Sequence, residues 1–150
     1  MSVSGVSEPD KNTERKINMS NNHVEAVKKS YEDFLKDDLS TLINNLDENV
    51  EWNQPGSGNI NWAGKFKGKE GVMNFFNELS TFKIKEFNPH TYIAAGDNVV
   101  ALGYTKAVTE KTGKESYNDW CMVWTFKNGK IISWYDYCDT EAIAKSYTNN

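Results

Sequence analysis

The chain has 150 residues, 38% hydrophobic and 13% aromatic, with a net charge of −4 and a pI near 5.2. That suits one domain able to bury roughly 70% of its unfolded surface, and it argues against a nucleic-acid footprint or binding to an anionic membrane. No run approaches the ~18 apolar residues of a membrane helix, and residues 1–22 lack the apolar core of a signal peptide, so a cytoplasmic protein is expected.

Residues 1–22 are polar, rich in Ser, Asn and charge, and without periodicity; they read as a disordered tail before one domain over 23–150. From His23 the pattern turns helical, with Val24, Val27, Tyr31, Phe34 and Leu35 on one face. Asp37-Asp38 breaks that helix and can cap the next, where Leu39, Leu42, Ile43 and Leu46 form a stripe. Val50–Gln54 is a short strand, stopped by Pro55-Gly56. The loop from Gly56 to Gly68 carries Trp62 and Phe66, which would cover something. Lys69–Leu79 is a third helix. Phe82–Ala94 and Val99–Thr109 are strands joined at Gly96-Asp97-Asn98.

The most informative stretch is Glu115–Thr140, two strands joined by Lys127-Asn128-Gly129-Lys130. Asn-Gly suits the positive φ angles of a type I′ hairpin turn. Period-two alternation places Ser116, Asn118, Trp120, Met122, Trp124 and Phe126 on one face. On the second strand Ile132, Trp134, Asp136 and Cys138 share a face, opposite Ile131, Ser133, Tyr135 and Tyr137. A lone carboxylate among large aromatics reads as the wall of a cavity, and Asp136 is that carboxylate. Asp139 is expected to cap a last helix over Thr140–Tyr147, and Asp119 to lie on the outer face. Helices before an antiparallel meander make an α+β fold. Strongly bent around those helices, the sheet forms a cone whose mouth suits a ligand.

These pieces resemble the nuclear transport factor 2-like (NTF2-like) superfamily of cones, and its SnoaL-like branch most. They are Tyr31-x-x-Phe34 with Asp38-Leu39-x-x-Leu42, Val50-Glu51-Trp52-x-x-Pro55, and Ala63-Gly64-x-Phe66-x-Gly68-x-x-Gly71-Val72. Gly96-Asp97-x-Val99-Val100, Asn118-x-Trp120, Gly129-Lys130-Ile131 and Trp134-x-Asp136-Tyr137-x-Asp139 follow, so the likeness spans 24–147. That branch holds polyketide cyclases and relatives of ketosteroid isomerase and limonene-epoxide hydrolase. By the resemblance, Tyr31 stands at the isomerase's oxyanion tyrosine, Trp52 or Asn53 at its general base, and Met122 near its second aspartate. Asn53 and Asp136 resemble the epoxide hydrolase's water-holding asparagine and one catalytic aspartate. That family's arginine is missing, because Arg15 is the chain's one arginine. A cyclase-type requirement for a single acid–base aspartate is met by Asp136.

Partial desolvation would raise Asp136 towards the range useful for acid–base work. The competing reading is a polar core group bonded to Asn118, Tyr31 or water. Asn118 and Asn53 either orient a ligand or satisfy strand ends. Trp52, Trp62, Trp120, Met122, Trp124 and Trp134 are the expected substrate-binding wall. His23 and His90 are far apart, no Cys/His/carboxylate cluster suits a metal, and no phosphate loop or nucleophile elbow occurs, so no metal or organic cofactor is expected. Cys121 and Cys138 fall on opposite faces, which argues against a disulfide. Tyr117, Cys121, Val123, Ile131, Tyr135 and Tyr137 make an apolar outer face, and relatives commonly pair there; a homodimer is expected.

The leading expectation is a cofactor-free isomerase, cyclase or hydrolase acting on a small hydrophobic molecule. Asp136 would be the acid–base group, assisted by Asn118, Asn53 and Tyr31. The alternatives are a non-catalytic binder of a hydrophobic metabolite and a protein-interaction domain.

Overall fold

The computed structural model describes residues 10–149. Helix α1 (Lys11–Phe34) begins well before His23, because the Asp10 side chain accepts from Thr13 N at 2.8 Å and caps it. Residues 11–22, expected as tail, are therefore helical, and residues 1–9 lie outside the described residues. This first half stands largely exposed to solvent, so no apolar periodicity marked it. Asp37, at φ 58°, ends the turn after α1, and Asp38 Oδ1 accepts from Ser40 N at 2.9 Å at the start of α2 (Ser40–Asn45).

Strand β1 (Leu46–Gln54), β2 (Gly64–Lys67), helix α3 (Gly68–Leu79), β3 (Phe82–Ala95), β4 (Asn98–Thr109), β5 (Glu115–Lys127), β6 (Lys130–Cys138) and helix α4 (Thr140–Ser146) follow. The curved, unclosed sheet of six strands has the order β2-β1-β6-β5-β4-β3. Two features were not expected. Strand β2 lies inside the stretch read as loop, pairing Phe66 with Trp52, and β6 runs parallel to β1. The antiparallel meander from β3 to β6 stands as expected, whereas the pairing of β1 with β2 and β6 is long-range and leaves no local signature.

The Asn128-Gly129 turn has φ of 51° and 76°, both positive as a type I′ turn requires. Just past it, Thr125 pairs with Ser133 but Phe126 with Ile131, a bulge that leaves Ile132 extra. The bulge turns Ile131 inward to 0% exposure, correcting its expected place on the outer face. Further along β6, strict alternation resumes with Trp134 and Asp136 buried.

Alternation on β1 buries Val50, Trp52 and Gln54 and turns Glu51 and Asn53 away. On β5 it buries Asn118, Trp120, Met122, Trp124 and Phe126. Trp120 lies against Gly103 of β4, where an added Cβ would come within 2.4 Å of its ring. Across the concave face lie Val27 and Tyr31 of α1 and Val72 and Phe75 of α3, all buried. Trp62 is buried too, and its Nε1 donates to Tyr147 Oη at 2.8 Å, fastening the 55–63 connection to the end of α4. Asp139 caps α4 through Ala142 N at 3.0 Å, and Asp119 sits outside, as the sequence indicated.

Candidate functional site

The concave face of the sheet and helices α1 and α3 enclose a cavity of about 80 Å³. Its wall is mostly aromatic, and among the described residues no Lys, Arg or His lines it. Asp136 lies in that wall, 5% exposed, and its Oδ1 has no hydrogen-bond partner. Burial raises its carboxyl to about 7, against smaller downward pulls from the Gln54 amide and the Cys138 thiol. Removing the charge from water is the larger effect because no cation among the described residues stands nearby to replace the lost hydration. Cys138 is pushed up to about 12, by burial first and by Asp136 second, so its sulfur stays a thiol. That makes it an unsuitable nucleophile.

The structure gathers most of the expected residues. Trp52, Trp62, Trp120, Met122, Trp124 and Trp134 all line the cavity, as do Tyr31 and Asn118. Their hydrogen bonds separate their roles. Asn118 Oδ1 accepts from Asp139 N at 2.9 Å, so that atom ties the end of β6 to β5. Tyr31 Oη accepts from Trp124 Nε1 at 2.9 Å and donates to Met122 Sδ at 3.2 Å. Burial holds its phenol well above the usual tyrosine range. A thioether is a weak acceptor, so the Tyr31 proton is free to move to a better one.

Asn53 is the exception. It faces away from the cavity and its Nδ2 donates to Trp134 O at 3.1 Å across the parallel pair. Gln54, one residue on, is 1% exposed and lines the cavity instead. Its Nε2 donates to Pro55 O at 3.2 Å and Cys138 Sγ at 3.4 Å. Sequence reasoning passed over Gln54, although period-two alternation from Trp52 puts both on one face.

Both cysteines are free. Among the described residues no group of three or more His, Cys, Asp or Glu could hold a metal, and no helix is long and apolar enough to cross a membrane.

Helices packed into the concave face of a bent, open six-stranded sheet define the NTF2-like class. The SnoaL-like domain profile matches residues 27–134, and the chain belongs to that family. It is similar to an NTF2-like protein of unknown function from Burkholderia pseudomallei at 28% identity and a TM-score of 0.75, over 83% of this chain and 95% of that one. It is similar to Bal32a from a soil-derived mobile gene cassette at 27% identity and a TM-score of 0.75, over 87% and 99%. A third similar structure is TerC, co-crystallised with polyporic acid, at 25% identity and a TM-score of 0.73, over 83% and 96%. A search of the curated proteins finds no match.

Proposed function

We propose that this SnoaL-like protein binds a small hydrophobic molecule in its aromatic cavity and exchanges a proton with it through Asp136. One observation carries the reading: a buried carboxyl, one oxygen unbonded, held at about 7 in a mostly aromatic wall. A group poised there can both take and return a proton at neutral pH. As base, the carboxylate removes a proton from ligand carbon or oxygen; as acid, it returns that proton to another position or to a leaving oxygen. The Tyr31 hydroxyl would give up Met122 Sδ to donate to developing negative charge, and Gln54 would steady Asp136. Isomerisation, cyclisation and water addition all fit these steps. The reading invokes no cofactor.

TerC's co-crystallisation with polyporic acid supports a ligand-binding role for this cone. The cavity volume favours a second reading, a binder without turnover, because typical ligand sites run from about 300 Å³ upward and this one holds about 80 Å³. A larger ligand must displace its walls, where flexible Met122 and half-buried Phe76 yield most readily. The exposed Tyr117 and Tyr137 on the outer sheet face suit pairing of two copies, and two free thiols suit a reducing, cytoplasmic compartment.

The test is tryptophan fluorescence against steroids, terpene epoxides, polyketides, fatty acids and polyporic acid, followed by mass spectrometry of each hit in D2O. Saturable quenching with deuterium uptake into the ligand is expected, and Asp136→Asn should abolish the uptake. Uptake unchanged in that variant would remove Asp136 from the chemistry. Saturable binding without uptake or conversion would make the protein a binder.

A further inference from the structure

Among the described residues five buried side-chain polar atoms lack a hydrogen-bond partner, and three of them belong to the cavity wall. They are Trp52 Nε1, Trp134 Nε1 and Asp136 Oδ1. The other tryptophans are already engaged: Trp62 Nε1 with Tyr147 Oη at 2.8 Å, Trp120 Nε1 with Thr105 Oγ1 at 2.8 Å, and Trp124 Nε1 with Tyr31 Oη at 2.9 Å. Folded proteins pair nearly all such groups, so each unpaired one calls for an explanation. An indole N–H is a donor with no acceptor capacity. Both belong to residues that line one small cavity, and neither N–H has an acceptor within hydrogen-bond reach among the described residues.

The two donors are also rigidly placed. Trp52 and Trp134 are register partners across the parallel β1–β6 pair, and their rings stack with centroids 4.2 Å apart and planes within 16°. They are 1% and 3% exposed. Phe75 packs on both, at 5.8 and 5.7 Å, which limits ring rotation.

We infer that the cavity recognises a small neutral molecule by a carbonyl-type oxygen, which accepts from the indole N–H groups of Trp52 and Trp134 while Asp136 meets the molecule's acidic hydrogen. The inference rests on reading this cavity as a ligand site, and it names the ligand's chemistry. Charge decides the class. A carboxylate or phosphate would be buried beside Asp136 with no Lys, Arg or His among the described residues of the wall, an uncompensated charge. An alkylammonium would suit the aromatic faces and Asp136, yet it has no acceptor to offer and would leave both indoles unmet. Size sets the rest: about 80 Å³ is roughly half the ~150 Å³ that admits benzene. A compound near the size of acetone or cyclopentanone fits, or the carbonyl end of a larger one.

The experiment is an indole ¹H–¹⁵N spectrum of the full chain, with each tryptophan assigned by its Trp→Phe variant. Cyclopentanone, acetate and tetramethylammonium are titrated in turn. Cyclopentanone should move the Trp52 and Trp134 signals downfield and saturably, leaving those of Trp62, Trp120 and Trp124 in place. Trp134→Phe should weaken cyclopentanone binding about tenfold, with the other indole signals reporting that the fold is kept. Acetate or tetramethylammonium moving those two signals at lower concentration than the ketone would overturn the ligand class. Ketone binding that leaves both in place, or no movement with any probe, would overturn the indole pair. Asp136→Asn separates this from the acid–base reading: the ketone-induced shifts persist there while proton exchange is lost. Exchange that survives in that variant, with the shifts intact, overturns the acid–base reading alone.

Discussion

Asp136 and Met122 are register partners across β5 and β6, so the cross-strand neighbour of the buried acid is a thioether and not a cation or base. Nothing on that side stabilises the carboxylate, and burial sets its behaviour.

Stability should therefore fall with rising pH because of this residue. The folded state keeps the Asp136 proton up to about 7, whereas the ordinary value is 3.8, so between those limits the folded state binds more protons than the unfolded one. Stability then declines across that window and levels off above it, a penalty of roughly 4 kcal/mol. Asp136→Asn removes it. Urea unfolding should show the variant gaining a few kcal/mol relative to wild type at pH 8, a gain that vanishes at pH 4. An equal effect at both pH values would show that proton binding by Asp136 is not linked to folding.

Gln54 pulls the Asp136 carboxyl downward against burial. Gln54→Leu replaces the amide in the cavity wall with a side chain of similar length and removes that pull. Carboxyl ¹³C titration should place Asp136 higher than in wild type; an unmoved midpoint would show that Gln54 serves Cys138 and Pro55 alone.

Tyr31→Phe leaves Trp124 Nε1 buried without its acceptor. A loss of about 1–2 kcal/mol in urea unfolding is expected, with the Trp124 indole signal moving most among the five tryptophans. No stability loss would mean that Trp124 finds another acceptor.

At Gly103 an added Cβ would meet the Trp120 ring at 2.4 Å and Asn88 O at 2.6 Å. The backbone oxygen cannot swing aside as a side chain can. Gly103→Ala should cost roughly 3 kcal/mol and redden Trp120 emission, checked by thermal unfolding and fluorescence. An unchanged midpoint would show the sheet opening there at little cost.

Much of the architecture was legible because local patterns encode it. Alternation on β5 placed Asn118, Trp120, Met122 and Trp124 inward, and Asn128-Gly129 specified the hairpin. The start of α1 was not legible, since a capped helix facing water carries no apolar stripe. Asn53 was expected at the site but faces away from it for a simpler reason: neighbours on a strand take opposite faces, so Trp52 and Asn53 cannot both point into the cavity.

By itself the sequence determined the antiparallel run from β3 to β6, the inward aromatics of β5 and the inward face of Asp136, all consequences of a period of two residues along the strands. The tertiary structure alone decided that β6 lies parallel to β1, which stacks Trp134 on Trp52, and that Gln54 and Cys138 meet at the acid. It also decided that the enclosed space is about 80 Å³. Those outcomes depend on contacts between residues some eighty positions apart, whose distances no local pattern records.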